Sequence, residues 1–127
     1  MLFDTDMLIW IQRGNAKAAI MFEAAESRYI SLQTYMELLQ CAPSKKQIRV
    51  VKSFLHDFDV SVLPLTEEIG HRAAVYIEEY TCSHGLRAGD ALIAATAAEH
   101  ELLLVTSNEK HFKPIQSLQL KVFKPSL

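Results

Sequence analysis

Short apolar runs alternate along the chain with longer stretches whose apolar positions recur every three or four residues. The runs Met1–Asp4, Tyr29–Leu32, Val60–Leu63, Leu102–Thr106 and Leu120–Phe123 read as strands. Asp6–Arg13 and Ala16–Glu26 read as helices separated by the Gly14-Asn15 break. Thr34 can cap a helix running to about Cys41, where Pro43-Ser44 stops it. Lys45 opens another, with Ile48, Val51, Leu55 and Phe58 on one apolar face and charges opposite. After Pro64, Thr66 with Glu67 and Glu68 behind it opens a helix that carries Ile69, Ala73, Tyr76, Ile77 and Tyr80 on one side. Leu86–Gly89 reads as a loop. Asp90 begins an Ala-rich helix, apolar nearly all round, which predicts burial between a sheet and a second layer.

Strands alternating with helices predict an α/β fold, a three-layer αβα sandwich around a mainly parallel β-sheet, with any site at the carboxyl ends of the strands. No Gly/Ser/Pro-rich linker or repeat interrupts the 127 residues, so one domain over residues 1–127 is expected. A domain of that size holds a core without disulfides or a structural metal, so a metal here would be functional. With 50% hydrophobic residues and only four Gly and four Pro, the chain is neither disordered nor collagen-like. Its longest apolar stretches, such as Met7–Ile11, fall far short of the ~20 residues needed to cross a membrane. Asp4 and Asp6 precede that stretch where a secretory signal would be basic, so a cytoplasmic location is expected. Cys41 and Cys82 lack metal or redox spacing and are expected to be reduced packing residues.

Candidate chemistry comes from placing the acids on this map. Asp4 ends the first strand, Glu37 lies early in the helix after the second, and Asp90 starts the Ala-rich helix. All three then face one edge of the sheet, and Asn108, just beyond the strand Leu102–Thr106, adds a fourth oxygen-bearing side chain there. Converging carboxylates repel one another and stay ionised readily only around a cation. Oxygen-only ligands suit Mg²⁺ or Mn²⁺, and such a site can activate water and shield phosphate in phosphodiester hydrolysis. For Asp90 taken alone, a helix cap is an equally good reading.

The segments LFDTDMLIW, ISLQTYMELL, LRAGDALIAATA and LLLVTSNEKHF resemble, in order and spacing, the four motifs of the PIN domain, above all in its VapC-type toxin endonucleases. The resemblance runs from Phe3 to Phe112. It implies a metal-dependent endoribonuclease that holds Mg²⁺ or Mn²⁺ through Asp4, Glu37 and Asp90, with Asn108 beside them. Thr5, Asp6 and Thr106 would support these ligands. Asn108 departs from relatives that carry a fourth Asp, which leaves Glu109 as a substitute or simply as a helix-start acid. The resemblance also implies an RNA substrate, a cognate antitoxin protein whose C-terminal segment covers the cleft, and a homodimer.

Thirteen basic against fifteen acidic side chains, a net charge of −2, speak against a polybasic nucleic-acid binder. Setting aside the three site acids leaves thirteen against twelve, which removes the objection for a cation-filled site. Lys45, Lys46, Arg49 and Lys52, or Arg13 and Lys17, could meet phosphates or form solvated faces. Two rival readings stand beside the nuclease. Asp4-Thr5-Asp6 at a strand end mimics the nucleophile motif of haloacid-dehalogenase phosphohydrolases, although Met7-Leu8 follows where that family has Gly-Thr. The amide at Asn108 also fits an inactive module that keeps the fold to bind RNA or an antitoxin.

Overall fold

A computed structural model describes residues 1–125. The elements in order are β1 (Leu2–Phe3), α1 (Thr5–Gln12), α2 (Ala16–Ala24), β2 (Arg28–Ser31), α3 (Leu32–Gln40), α4 (Lys45–Asp57), β3 (Val60–Leu63), α5 (Glu67–His84), α6 (Ala88–Glu99), β4 (Leu104–Thr106), α7 (Glu109–Phe112) and β5 (Leu120–Val122). The five strands form one sheet in the order β3-β2-β1-β4-β5, and every pairing is parallel.

Period-two side-chain alternation divides the core between two faces. Leu2 and Leu104 join a cluster with Ile69, Ala73 and Tyr76 of α5 and Ala91, Ile93 and Ala94 of α6. Their neighbours Phe3 and Val105 join the opposite cluster, with Met7 and Leu8 of α1, Phe22 of α2, Leu38 of α3 and Val51 and Leu55 of α4. The central strands are therefore covered on both sides, and the expected three-layer αβα sandwich is present. Ala94 and Ala95 are fully buried, as the nearly all-round apolar helix predicted.

From β1 the chain moves outward through β2 to β3, then crosses back to place β4 on the other side of β1. That reversal opens a crevice at the carboxyl ends of β1 and β4, where open parallel sheets bind ligands.

Several element boundaries differ from those read in the sequence, each for a local reason. The first strand stops at Phe3, because the Asp4 carboxylate accepts from the Thr5 amide and caps α1. Ser31, not Thr34, caps α3: its hydroxyl accepts from the Thr34 amide at 3.1 Å. Helix α6 starts at Ala88, so Gly89 lies inside it and Asp90 sits in its first turn. The one-turn α7 after Asn108 had no counterpart in the apolar pattern. Cys41 and Cys82 are both exposed and unpaired, so the expected packing role is wrong for each. Lys17 is engaged locally, its ammonium donating to the Lys124 carbonyl and lying over the Phe123 ring.

Arg28, at the start of β2, fastens two helix ends to the sheet. Its guanidinium donates to the carbonyls of Phe22 and Glu23 near the end of α2 and of Phe58 at the end of α4, at 2.7, 2.8 and 2.8 Å. It also lies over the Phe22 and Phe58 rings. Last-turn carbonyls lack helical partners and carry the negative end of the dipole, so one planar cation serves both ends. Arg28→Ala is expected to lower the unfolding free energy by about 2–4 kcal/mol in urea denaturation. Arg28→Lys should recover only a minority of that, because an ammonium cannot reproduce the planar fork. A loss below about 0.5 kcal/mol for the alanine variant would show that water serves these carbonyls equally well.

Candidate active site

Asp4 leaves β1 at the crevice and is 5% exposed. Its Oδ1 accepts from the Thr5 amide at 2.8 Å and its Oδ2 from the Thr106 hydroxyl at 2.6 Å. Burial, and after it the charge of Asp6, push the Asp4 carboxyl up to about 8 against the pull of those two donors. Thr106, at the end of β4, is itself fixed, because its oxygen accepts from the main-chain N–H of Asn108 at 2.9 Å while its proton goes to Asp4.

Asp6 fastens the loop after β4. Its Oδ2 accepts from the Ser107 amide at 3.0 Å and from the Ser107 hydroxyl. Its Oδ1 is buried, and among the described residues no donor reaches it.

Glu37 projects from α3, and both of its oxygens are held. The Thr5 hydroxyl donates to Oε1 at 2.5 Å, and the Gln33 amide, one helical turn earlier, donates to Oε2 at 3.2 Å. Thr5 has a single proton, so its 3.1 Å contact with the buried Thr34 hydroxyl has Thr34 as the donor.

Asp90 enters from the first turn of α6. Its Oδ2 lies 3.1 Å from His111 Nδ1, and the same nitrogen lies 2.9 Å from the Asn108 amide. With Asp90 ionised, Nδ1 carries a proton toward it, and the Asn108 amide then turns its oxygen to the ring. Burial raises the Asp90 pKa, opposed chiefly by His111, and the Glu37 charge raises it further.

Asp4, Thr5, Asp6, Glu37, Asp90 and Asn108 line one cleft of about 410 Å³, together with Ile9, Gln40 and Cys41. Thr106 sits beneath it, bonded to Asp4, whereas Glu109 is exposed at the start of α7 and does not line the cleft. Gln33, Ser107 and His111 were not singled out in the sequence. Gln33 stands one turn before Glu37 and His111 three residues after Asn108, spacings that signal contact only once the helices are known.

Residues 1–116 match the family model of the PIN domain. The chain belongs to that family. It is 34% identical over 125 residues to Ribonuclease VapC10 of Mycobacterium tuberculosis, a match that covers 93% of this chain and 90% of the relative. Among solved structures it resembles a toxin-antitoxin complex from Klebsiella pneumoniae, with a TM-score of 0.79, 31% identity and coverage of 98% and 97% of the two chains. It also resembles FitAcB from Neisseria gonorrhoeae, with a TM-score of 0.71, 25% identity and coverage of 98% and 96%. The cleft of this PIN domain lies at the sheet's switch point and carries four carboxylates, and family membership sets aside the haloacid-dehalogenase reading of Asp4-Thr5-Asp6.

The raised Asp4 pKa fixes the sign of a pH effect. The folded protein keeps a proton on Asp4 up to about 8, whereas the unfolded chain releases it near the ordinary aspartate value of 3.8. Asp4 therefore stabilises the fold at low pH and progressively less as pH rises between those values. In chelator, the Tm of Asp4→Asn relative to the parent should climb as pH goes from 4 to 8. A Tm difference that stays flat across that range would contradict the buried, proton-holding Asp4.

Proposed function

We propose that this PIN domain, spanning residues 1–127, is an endoribonuclease that depends on Mg²⁺ or Mn²⁺ held by Asp4, Glu37 and Asp90. The observation that carries the reading is the meeting of these three carboxylates, from segments far apart in sequence, in one cleft. The donor set fits such a cation: it is oxygen-rich and hard, it contains a buried Asp6 oxygen that no donor among the described residues reaches, and Asp4 and Asp90 both have raised pKa values. Among the described residues, no three acidic, Cys or His side chains close on a single ion position as they stand. Glu37 and Asp90 are instead occupied by neutral donors and an imidazole, contacts that a cation would compete with.

When bound, the cation supplies the positive charge that neutralises the carboxylates and offsets charge building on a phosphodiester during hydrolysis. The protein's own groups prepare the cleft. Thr106 and the Thr5 amide orient Asp4, Thr5 and Gln33 orient Glu37, and His111 orients Asp90. Asn108 adds a polar rim group without further negative charge, and Asp6 keeps its loop in place through Ser107.

The similarity to Ribonuclease VapC10 and to a toxin-antitoxin complex supports RNA as substrate and a role as the toxin of a toxin-antitoxin pair, restrained by a cognate antitoxin protein. A homodimer and a cytoplasmic location complete the proposal. No helix among the described residues is long and apolar enough to cross a membrane. Lys45, Lys46, Arg49 and Lys52 are exposed along α4 and available to RNA phosphates. The amide at Asn108 supports one alternative, a PIN fold that binds RNA or an antitoxin without turnover.

Cleavage of total RNA in Mg²⁺ or Mn²⁺, against a chelator control, separates the two. Discrete metal-dependent cuts that fall at least about 100-fold in Asp90→Asn are expected, since even the partners that orient metal ligands are worth 10–100-fold. Absence of both cutting and divalent-cation binding in the parent would leave the binding module.

A further inference from the structure

Among the chain's four glycines, two have backbones that require the residue: Gly14 at φ +84 and Gly85 at φ +69. Gly70 and Gly89 both lie inside helices, where glycine is a poorer helix former than alanine. A Cβ at Gly70 would meet nothing within 4 Å. A Cβ at Gly89 would stand 2.9 Å from Glu37 Oε2 and 3.1 Å from Gln33 Nε2.

The backbone of Gly89 is ordinary, so the space beside it is what the missing side chain provides. Both atoms facing that space belong to the pair that fixes one oxygen of Glu37, and the other oxygen is already taken by Thr5. A methyl group at position 89 would therefore displace a carboxylate and its amide partner rather than any backbone. We propose that Gly89 and Gln33 are positioning residues for Glu37: the bare Cα of α6 leaves a slot for the Glu37 carboxylate, and the Gln33 amide holds it there beside Asp90.

This inference rests on Glu37 as a cation ligand for its consequence, but its geometry can be tested without the cation. Thermal melts in chelator would compare Gly70→Ala and Gly89→Ala in the parent, and Gly89→Ala in a Glu37→Ala background. Gly70→Ala should raise Tm by about 2–4 °C through helix propensity alone. Gly89→Ala should give less than that or lower Tm in the parent, and give a larger gain once Glu37 is truncated, because the nearest collision is then gone and the Gln33 amide has lost the partner that holds it there. Equal gains in both backgrounds would overturn the slot.

Calorimetric titration with Mn²⁺ alone supplies the second readout. Gly89→Ala and Gln33→Ala should each weaken Mn²⁺ binding about tenfold, as is usual for partners that orient metal ligands, while Gly70→Ala leaves it unchanged. Parent-like Mn²⁺ affinity in both site variants would overturn the positioning role even if the melts show the collision. If the parent itself binds no Mn²⁺, the cation reading of the cleft fails, and the melts alone decide whether Gly89 makes room for Glu37.

Discussion

The cleft is governed by the difficulty of gathering carboxylates where water is scarce. Asp4 is almost wholly buried, Asp6, Glu37 and Asp90 are partly so, and among the described residues no Lys or Arg forms an ion pair with any of them. The protein meets the repulsion mainly with neutral donors, hydroxyls of Thr5, Thr106 and Ser107, main-chain amides of Thr5 and Ser107 and the Gln33 amide, while the His111 imidazole faces Asp90. Such donors orient an acid without cancelling its charge. A buried Arg in their place would satisfy the carboxylates but would also occupy the ground a cation needs. The upward shifts of Asp4 and Asp90 record their burial first and the charge of neighbouring carboxylates after it.

The fold makes this unfavourable gathering rigid. β1 contributes only Leu2 and Phe3, both fully buried, one packed into each face of the sandwich. Asp4 follows Phe3 directly, so any shift of its backbone would disturb both cores. Its amide donates to the Val105 carbonyl at 2.9 Å, which ties it to β4 at the point where Thr106 emerges to meet its carboxylate. Glu37 and Asp90 come from helices packed on opposite faces of that sheet, and Thr5 and Gly89 are the points where those elements reach the same carboxylate. Close-packed cores thus supply the force that holds like charges together.

What the sequence revealed follows from the range of each interaction. Strand runs and helix faces depend on local periodicity, so the layers, the parallel sheet and the acids at strand ends could be read from one chain. Caps were harder, because Ser31 and Thr34 can both serve and only the chain's entry angle selects Ser31. Gly89 read as a loop residue, since its true reason is a side chain 52 positions earlier in the chain. Arg28 carries no local signal at all, because its partners are carbonyls at the ends of two helices. The cysteines were misread for the converse reason: helical context suggests packing but does not say which way the face turns.

Asn108 and His111 show how the same constraint acts on the rim. A carboxylate at position 108 would add another charge near Asp90, whose pKa burial and Glu37 already raise. The amide adds none, and it reaches the nitrogen of His111 that faces Asp90, so one imidazole links the loop after β4 to the first turn of α6. Asp6 fixes the other end of that loop through Ser107, so its position is set from both sides. The uncharged residue at the rim thus belongs to a hydrogen-bonded link that reaches Asp90. With an amide rather than an acid at position 108, the four carboxylates that line the cleft, Asp4, Asp6, Glu37 and Asp90, carry less mutual repulsion to hold in check than they would beside a fifth.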